Sequence, residues 1–293
     1  VVKLRGAEHL LGRHDLTIDG RGVSIFPRLE ALAGADRSDA AGPERLSTGV
    51  PGLDRMVGGG LLPATSTMLL GSPGAGKTLL GLHFLAEGAA REEPGLIVTF
   101  HEKARMLTAT AGSVGLDLAG PIERALVRVL WRPPLELSPD EWAWELLAAI
   151  DAQRPTRLLI DGLSDIQRMI LRPERMSSFA PALANELRLR GVTTLMSVEL
   201  DAFVGTDLSA PVPAASATMD NGIVLRHVEL RSRIRRLITV LKARQSIVDP
   251  AIREFRIGPN GIEVGEVLDG AAALLTGAPE PVLEIKRAQE PSV

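Results

Sequence analysis

The 293-residue chain has no cysteine and no tyrosine, and aromatic side chains make up only 3% of it. Without cysteine there is no disulfide, no zinc ribbon and no thiolate-held cluster. The five histidines, His9, His14, His83, His101 and His227, fall at no metal-ligand spacing, so any metal is expected to arrive with a ligand. Scarce aromatics leave few stacking platforms for single-stranded nucleic acid. A formal net charge of −3 gives no global attraction to nucleic acid or to an anionic membrane. Proteins, rather than nucleic acid, are the expected partners. No apolar run approaches the ~18 residues of a membrane span, and the N-terminus lacks the basic, apolar, small-residue order of a secretory signal. The reading is a cytoplasmic protein with no membrane contact. The chain opens on Val1 instead of an initiator methionine, as a fragment of a longer product does. What is plentiful is apolar: 45% hydrophobic content fills the core of one large domain or about two.

Residues 71–78 read Gly71-Ser72-Pro73-Gly74-Ala75-Gly76-Lys77-Thr78, a complete GxxxxGKT pattern between an apolar run, Thr65 to Leu70, and a helical pattern from Lys77. Each residue type has a physical reason. The glycines let backbone N–H groups curl around a phosphate, and the helix N-terminus adds positive potential. Lys77 neutralises phosphate charge, and Thr78 offers a hydroxyl to Mg²⁺. Gly71 through Leu79 are therefore the candidate contacts to a nucleoside triphosphate.

Strands and helices alternate after this loop. Helix 77–90, strand Gly95 to Phe100, helix 103–112, strand Leu126 to Trp131 and a helix from Pro139 follow in turn. Ser138-Pro139-Asp140-Glu141 is a capping box with proline at the first helical position. Trp142 and Trp144 behind it are about 200° apart on a helix and so cannot share a face. Strand Arg157 to Ile160, a helix over 174–190 and strand Val192 to Val198 complete a buried parallel sheet. From residue 220 the pattern turns to strand-turn-strand units, Ile223 to Leu230, Arg236 to Leu241 and Phe255 to Val264, which predict an antiparallel edge. The fold class is α/β, with a mainly parallel central sheet and an antiparallel C-terminal edge. The small, polar stretch 31–43 reads as a linker, and the proline-bearing segment 266–293 as a disordered tail.

Leu158-Leu159-Ile160-Asp161 is an apolar strand ending in a carboxylate, the arrangement that holds Mg²⁺ opposite the loop threonine; Thr78 and Asp161 are the metal-site candidates. A catalytic base should close another strand, and Phe100-His101-Glu102 does so. Adjacent residues on extended backbone point to opposite sides, so either His101 or Glu102 can face the nucleotide; a carboxylate is the better base at neutral pH. One basic cluster, Arg226, Arg231, Arg233, Arg235, Arg236, Lys242 and Arg244, meets a single acid, Glu229. It reads either as a solvated strand face or as a source of external cations for a neighbouring subunit's transition state. Lys242 and Arg244, one residue apart, project to the same side of a strand.

The run Leu46-Ser47-Thr48-Gly49-Val50-Pro51-Gly52-Leu53-Asp54, the glycines Gly58-Gly59-Gly60, the 71–78 loop, Val240-Leu241-Lys242-Ala243-Arg244, Ile252-Arg253-Glu254-Phe255 and Gly261-Ile262-Glu263-Val264 together resemble a KaiC-family domain of the RecA superfamily over about residues 44–265. The resemblance implies a RecA-like ATPase core using ATP and Mg²⁺. It implies a homo-oligomeric ring, often a hexamer, with nucleotide held between protomers and Lys242 and Arg244 acting in trans. It further implies nucleotide contacts at Ser113 and Ser246. The family commonly carries paired glutamates where this chain has His101-Glu102, and Gly-Ser-x-His where it has Gln245-Ser246-Ile247-Val248. Slow turnover follows from both departures. Ser216, or Thr218 in a shifted register, is the only candidate for the autophosphorylation seen in the clock member.

The N-terminal residues also align with 240–264 at a constant offset of 239: Val1 with Val240, Lys3 with Lys242, Arg5 with Arg244, Ile18 with Ile257 and Gly22 with Gly261. Gly6 and His9 restore the Gly-x-x-His that the second copy lacks. Residues 1–30 thus resemble the last hairpin of a preceding KaiC-like domain. The expected function is ATP hydrolysis that drives a slow conformational signal to a protein partner. Two rivals are a DNA recombination ATPase of the same superfamily and a non-hydrolysing nucleotide-gated scaffold. The first is disfavoured, because Asp201 to Asp220 contains no lysine or arginine.

Overall fold

The computed structural model describes residues 10, 12–20, 22–32, 44–133, 138–200, 219–230 and 233–268. A hairpin of β1 (Asp15–Asp19) and β2 (Gly22–Phe26) precedes a 3₁₀ turn, Leu29–Leu32. Then come α1 (Pro51–Met56), β3 (Ser66–Gly71), α2 (Lys77–Ala90), β4 (Gly95–Thr99), α3 (Ala104–Gly112), α4 (Ala119–Glu123) and β5 (Val127–Trp131). After these are α5 (Pro139–Gln153), β6 (Arg157–Asp161), α6 (Leu163–Met169), α7 (Met176–Leu189) and β7 (Thr193–Glu199). The long strands β8 (Asn221–Leu230) and β9 (Arg233–Ala243) and the hairpin β10 (Arg253–Gly258) and β11 (Gly261–Val267) end the described chain.

Among the described residues nine strands form one sheet, ordered β11-β10-β9-β8-β3-β7-β6-β4-β5. The pairs from β8 to β5 are parallel, while β9, β10 and β11 add antiparallel strands at one edge. Every residue of β3 and β4 is buried, as strands covered on both faces must be. Their side chains alternate between two cores. Met68, Leu158, Ile160 and Met196 pack with Trp142, Ile166 and Phe179 on one face. Leu69, Leu159 and Leu195 pack with Leu80, Phe84 and Phe255 on the other.

The N-cap half of the capping box forms: Ser138 Oγ accepts from the Glu141 N–H at 3.2 Å. The two tryptophans part company as their angular separation requires. Trp142 is fully buried, whereas Trp144 Nε1 donates to the Pro27 carbonyl at 2.8 Å. Helices α1, α4 and α6 were absent from the sequence reading, because at six, five and seven residues none is long enough to display a period.

Parallel register brings four strand ends to one sheet edge. Gly71 stands level with Glu199, Thr99 with Asp161, and Asp161 with Ser197. Residues 1–9, with Lys3, Arg5, Gly6 and His9, lie outside the described residues, as do 33–43, 201–218 with Ser216 and Thr218, and the segment 269–293. Among the described residues no helix is long and apolar enough to cross a membrane.

Candidate functional site

The 71–78 loop leaves β3 at the sheet edge and enters α2. Gly74 and Gly76 adopt φ of 72° and 107°, a region that side chains resist. At Gly71 a Cβ would stand 2.5 Å from the Leu225 carbonyl oxygen, so β8 presses directly on the loop. Pro73 and Gly74 are exposed, while Ala75 and Leu79 are buried in the core. Leu79 therefore has only its backbone to offer a ligand. Ser72 is buried and its hydroxyl lies 3.3 Å from Nδ1 of His227. Burial, with Arg236 and Lys77 nearby, lowers the pKa of His227.

Lys77 Nζ donates to the Gly71 and Ser72 carbonyls at 2.7 and 2.8 Å. Burial lowers its pKa, against Glu199 and Asp161, which raise it. Thr78 Oγ1 donates to Asp161 Oδ2 at 2.8 Å, and the other Asp161 oxygen accepts from Ser197 Oγ at 2.6 Å. Ser197 Oγ also accepts from the Gly162 N–H at 2.9 Å, which ties the two strand ends together. Glu102 stands beside this group, its carboxyl pushed up by burial and by Asp161, with His101 acting the other way. Its Oε2 is buried without a hydrogen-bond partner. His101 instead turns to Asp165, with Nε2 3.1 Å from both carboxylate oxygens.

Lys77, Thr78, Asp161, Glu102 and His101 thus gather at one edge, and Lys242 and Arg244 do not. Lys242 pairs with Gly222, which stands level with Met68, three residues short of Gly71. Two strand spacings across and three residues along put Lys242 about 14 Å from Gly71, too far to serve its own loop. Arg244 lies farther back, with its guanidinium 3.1 Å from Asp220. Asp220 is buried and also takes Arg188 at 3.1 Å. Ser246 belongs to the same far edge, accepting from Arg45 Nη1 at 2.8 Å. Ser113, past the C-terminal end of α3, is about 14 Å along that helix from Ala104, which follows the turn bearing Glu102, and it donates to the Thr110 carbonyl at 2.8 Å.

A nucleotide with Mg²⁺ fits these residues. Among the described residues Lys77 has only loop carbonyls to hold, and Thr78 with Asp161 supplies the hard oxygen donors that Mg²⁺ prefers. Glu102 Oε2 is a buried acceptor lacking a donor. Among the described residues no group of three or more His, Cys, Asp or Glu side chains forms a metal cage of its own. Sequence reasoning missed Ser197, Asp165, Asp220 and His227. Each lies far along the chain from its partner, and only strand register brings the pairs together.

The 46–54 run and Gly58–Gly60 are structural. Asp54 accepts from Ser47 Oγ, the Thr48 N–H and Thr48 Oγ1 at 2.6, 2.8 and 2.7 Å, folding the run onto α1. At Gly58 (φ 79°) a Cβ would come 3.1 Å from the Ile247 carbonyl, so the glycine run lets the turn after Arg244 approach.

This sheet order, with the loop, lysine, threonine and strand-end aspartate at one edge, defines the class as a RecA-like ATPase domain. The family model of the KaiC ATPase matches residues 46–269. The chain belongs to the KaiC family. It is 30% identical over 279 residues to the circadian clock oscillator protein KaiC of Picosynechococcus sp., covering 95% of this chain and 53% of that protein. It is 29% identical to the KaiC of Synechococcus elongatus and to KaiC 1 of Synechocystis sp., over the same shares. The chain therefore spans about half the length of these curated relatives.

Proposed function

We propose that the chain binds and hydrolyses ATP in a homo-oligomeric ring, a hexamer by family resemblance, and uses slow turnover as a conformational signal to a protein partner. The observation that carries this is the division of the site between two sheet edges: Lys77, Thr78, Asp161 and Glu102 at one, Lys242 and Arg244 at the other. Neither set is complete, and a neighbour's far edge supplies what the loop edge lacks.

In this reading the 71–78 backbone and Lys77 hold the phosphates. Thr78 and Asp161 would hold Mg²⁺, which when bound neutralises charge on the phosphate oxygens. Glu102 orients water and takes its proton as that oxygen bonds to the γ-phosphorus and the bond to the β-phosphate oxygen breaks. The raised carboxyl of Glu102 suits it to this proton. A partner's Lys242 and Arg244 stabilise the charge that develops, with Asp220 orienting the arginine. The relatives' printed names, circadian clock oscillator proteins, motivate the signalling output. The autokinase candidates Ser216 and Thr218 lie outside the described residues.

The domain reading extends to the N-terminal hairpin. Leu16 pairs with Ile25 and Ile18 with Val23, the register of Phe255 with Val264 and Ile257 with Ile262 at the same offset of 239. Phe255 and Ile262 are 2% and 4% exposed, whereas their counterparts Leu16 and Val23 are 57% and 64% exposed. An apolar hairpin face left exposed among the described residues supports residues 1–30 as the end of a preceding domain. Phosphate release from MgATP by wild type, Lys77→Ala and Glu102→Gln tests the activity. Turnover in wild type alone supports it, and equal turnover in all three refutes it.

A further inference from the structure

His101 is half of a contact with no place in the scheme above. Its ring is 65% exposed, yet it is anchored: Nε2 lies 3.1 Å from both oxygens of Asp165, whose side chain is 6% exposed. Arg168 Nη1 holds the same carboxylate at 2.7 Å and extends to Glu199, at 3.8 Å, at the end of β7. Asp165 is folded back on the turn that follows Asp161. At Gly162 (φ 120°) a Cβ would stand 2.5 Å from Asp165 Oδ2 and 3.0 Å from the Phe100 ring. The His101–Asp165 contact therefore bridges two turns, one carrying Glu102 and the other Asp161.

These two turns carry like charges. Asp161 and Glu102 are close enough for one to push up the pKa of the other, and Glu102 Oε2 has no donor to hold it. The β4–β6 pairing holds the strands only as far as Thr99 and Asp161, and beyond it repulsion favours separation of the turns. We propose that His101 and Asp165 form a positioning pair, which fixes the turn bearing Glu102 against the turn bearing Asp161 and so sets where the base stands. His101 donates from Nε2 to the buried carboxylate and acts through Glu102, not on the substrate. The proposal rests on Glu102 as base, so its test includes Glu102→Gln.

Steady-state ATP hydrolysis, ATP KM and thermal unfolding are measured for His101→Ala, Asp165→Asn, the double variant, His101→Gln, His101→Glu and Glu102→Gln. A displaced base lowers kcat without weakening the phosphate cradle, so His101→Ala and Asp165→Asn each lose about tenfold to a hundredfold in kcat with KM little changed. The double variant is no slower than the worse single, because one contact cannot be lost twice. His101→Gln keeps a donor and recovers much of the rate. His101→Glu sets a carboxylate against Asp165 and is slower than His101→Ala; adding Asp165→Asn relieves it. Wild-type kcat in His101→Ala, with Glu102→Gln inactive, overturns the pair and leaves the base standing. Additive losses in the cycle overturn it too. Wild-type turnover in Glu102→Gln overturns both readings. If Asp165→Asn does not fold, His101→Gln against His101→Glu decides: equal rates refute the pair.

Discussion

Mixing two inactive variants distinguishes catalysis across an interface from catalysis within one protomer. Lys77→Ala removes the cation inside the loop but leaves Lys242 and Arg244 intact on the far edge. Arg244→Ala leaves the loop intact but removes a far-edge cation. The register puts Lys242 about 14 Å from Gly71 of its own chain, so neither far-edge residue compensates in cis. A trans-acting arginine contributes about a thousandfold or more to phosphoryl-transfer rates, and each variant alone should be nearly inactive. In a ring assembled from equal amounts of the two, about one interface in four joins an intact loop to an intact Arg244, since each interface is heterologous and directional. Phosphate release should recover to about a quarter of the wild-type rate per protomer. Activity no greater than the sum of the separate variants, in mixtures shown to co-assemble, refutes the trans mechanism and returns the basic strand to a solvated face.

Glu102→Gln should slow single-turnover hydrolysis by about a hundredfold to ten-thousandfold, more than His101→Ala, because only Glu102 accepts the proton; the reverse order makes His101 the base. Gly49→Ala forces a Cβ to 2.5 Å from the His83 carbonyl oxygen at φ 77° and should cost about 2 kcal/mol of stability by denaturant unfolding. Glu30 ties the residues after the hairpin to the domain through Arg175, with contacts of 2.9 Å. Burial alone would raise its pKa, but hydrogen bonds from Arg175 and Arg28 bring it down to about 2. A depressed folded pKa stabilises above the ordinary value of 4.5 and loses that contribution as pH falls toward 2. Glu30→Gln should therefore cost about 2 kcal/mol at pH 7, and the gap to wild type should shrink below pH 4; a constant gap in thermal unfolding across that range contradicts the assignment.

The long elements were legible because their patterns are local. The helix 77–90 is observed as Lys77–Ala90, and strand Arg157 to Ile160 is extended by one residue to Asp161. The Lys77, Thr78 and Asp161 grouping was legible too, since the loop pattern prescribes its partners. The rest depends on register. Nothing in the chain order links Ser197 to Asp161, 36 residues earlier, or Asp165 to His101, 64 residues earlier. The His101-Glu102 pair left two candidate bases, and the fold separates them by anchoring one on a buried carboxylate and leaving the other without a donor. The glycine run and the 46–54 signature were legible as family marks but not as scaffolding, because their contacts reach Ile247 and His83 across the domain.

Equilibrium binding of MgATP to wild type and Lys77→Ala tests the central claim most directly, because Lys77 is the cation inside the 71–78 loop and its amine holds the Gly71 and Ser72 carbonyls. The account predicts saturable binding by wild type and a loss of at least a hundredfold in the variant, with an unchanged unfolding temperature. Equal affinity in the two proteins would contradict it.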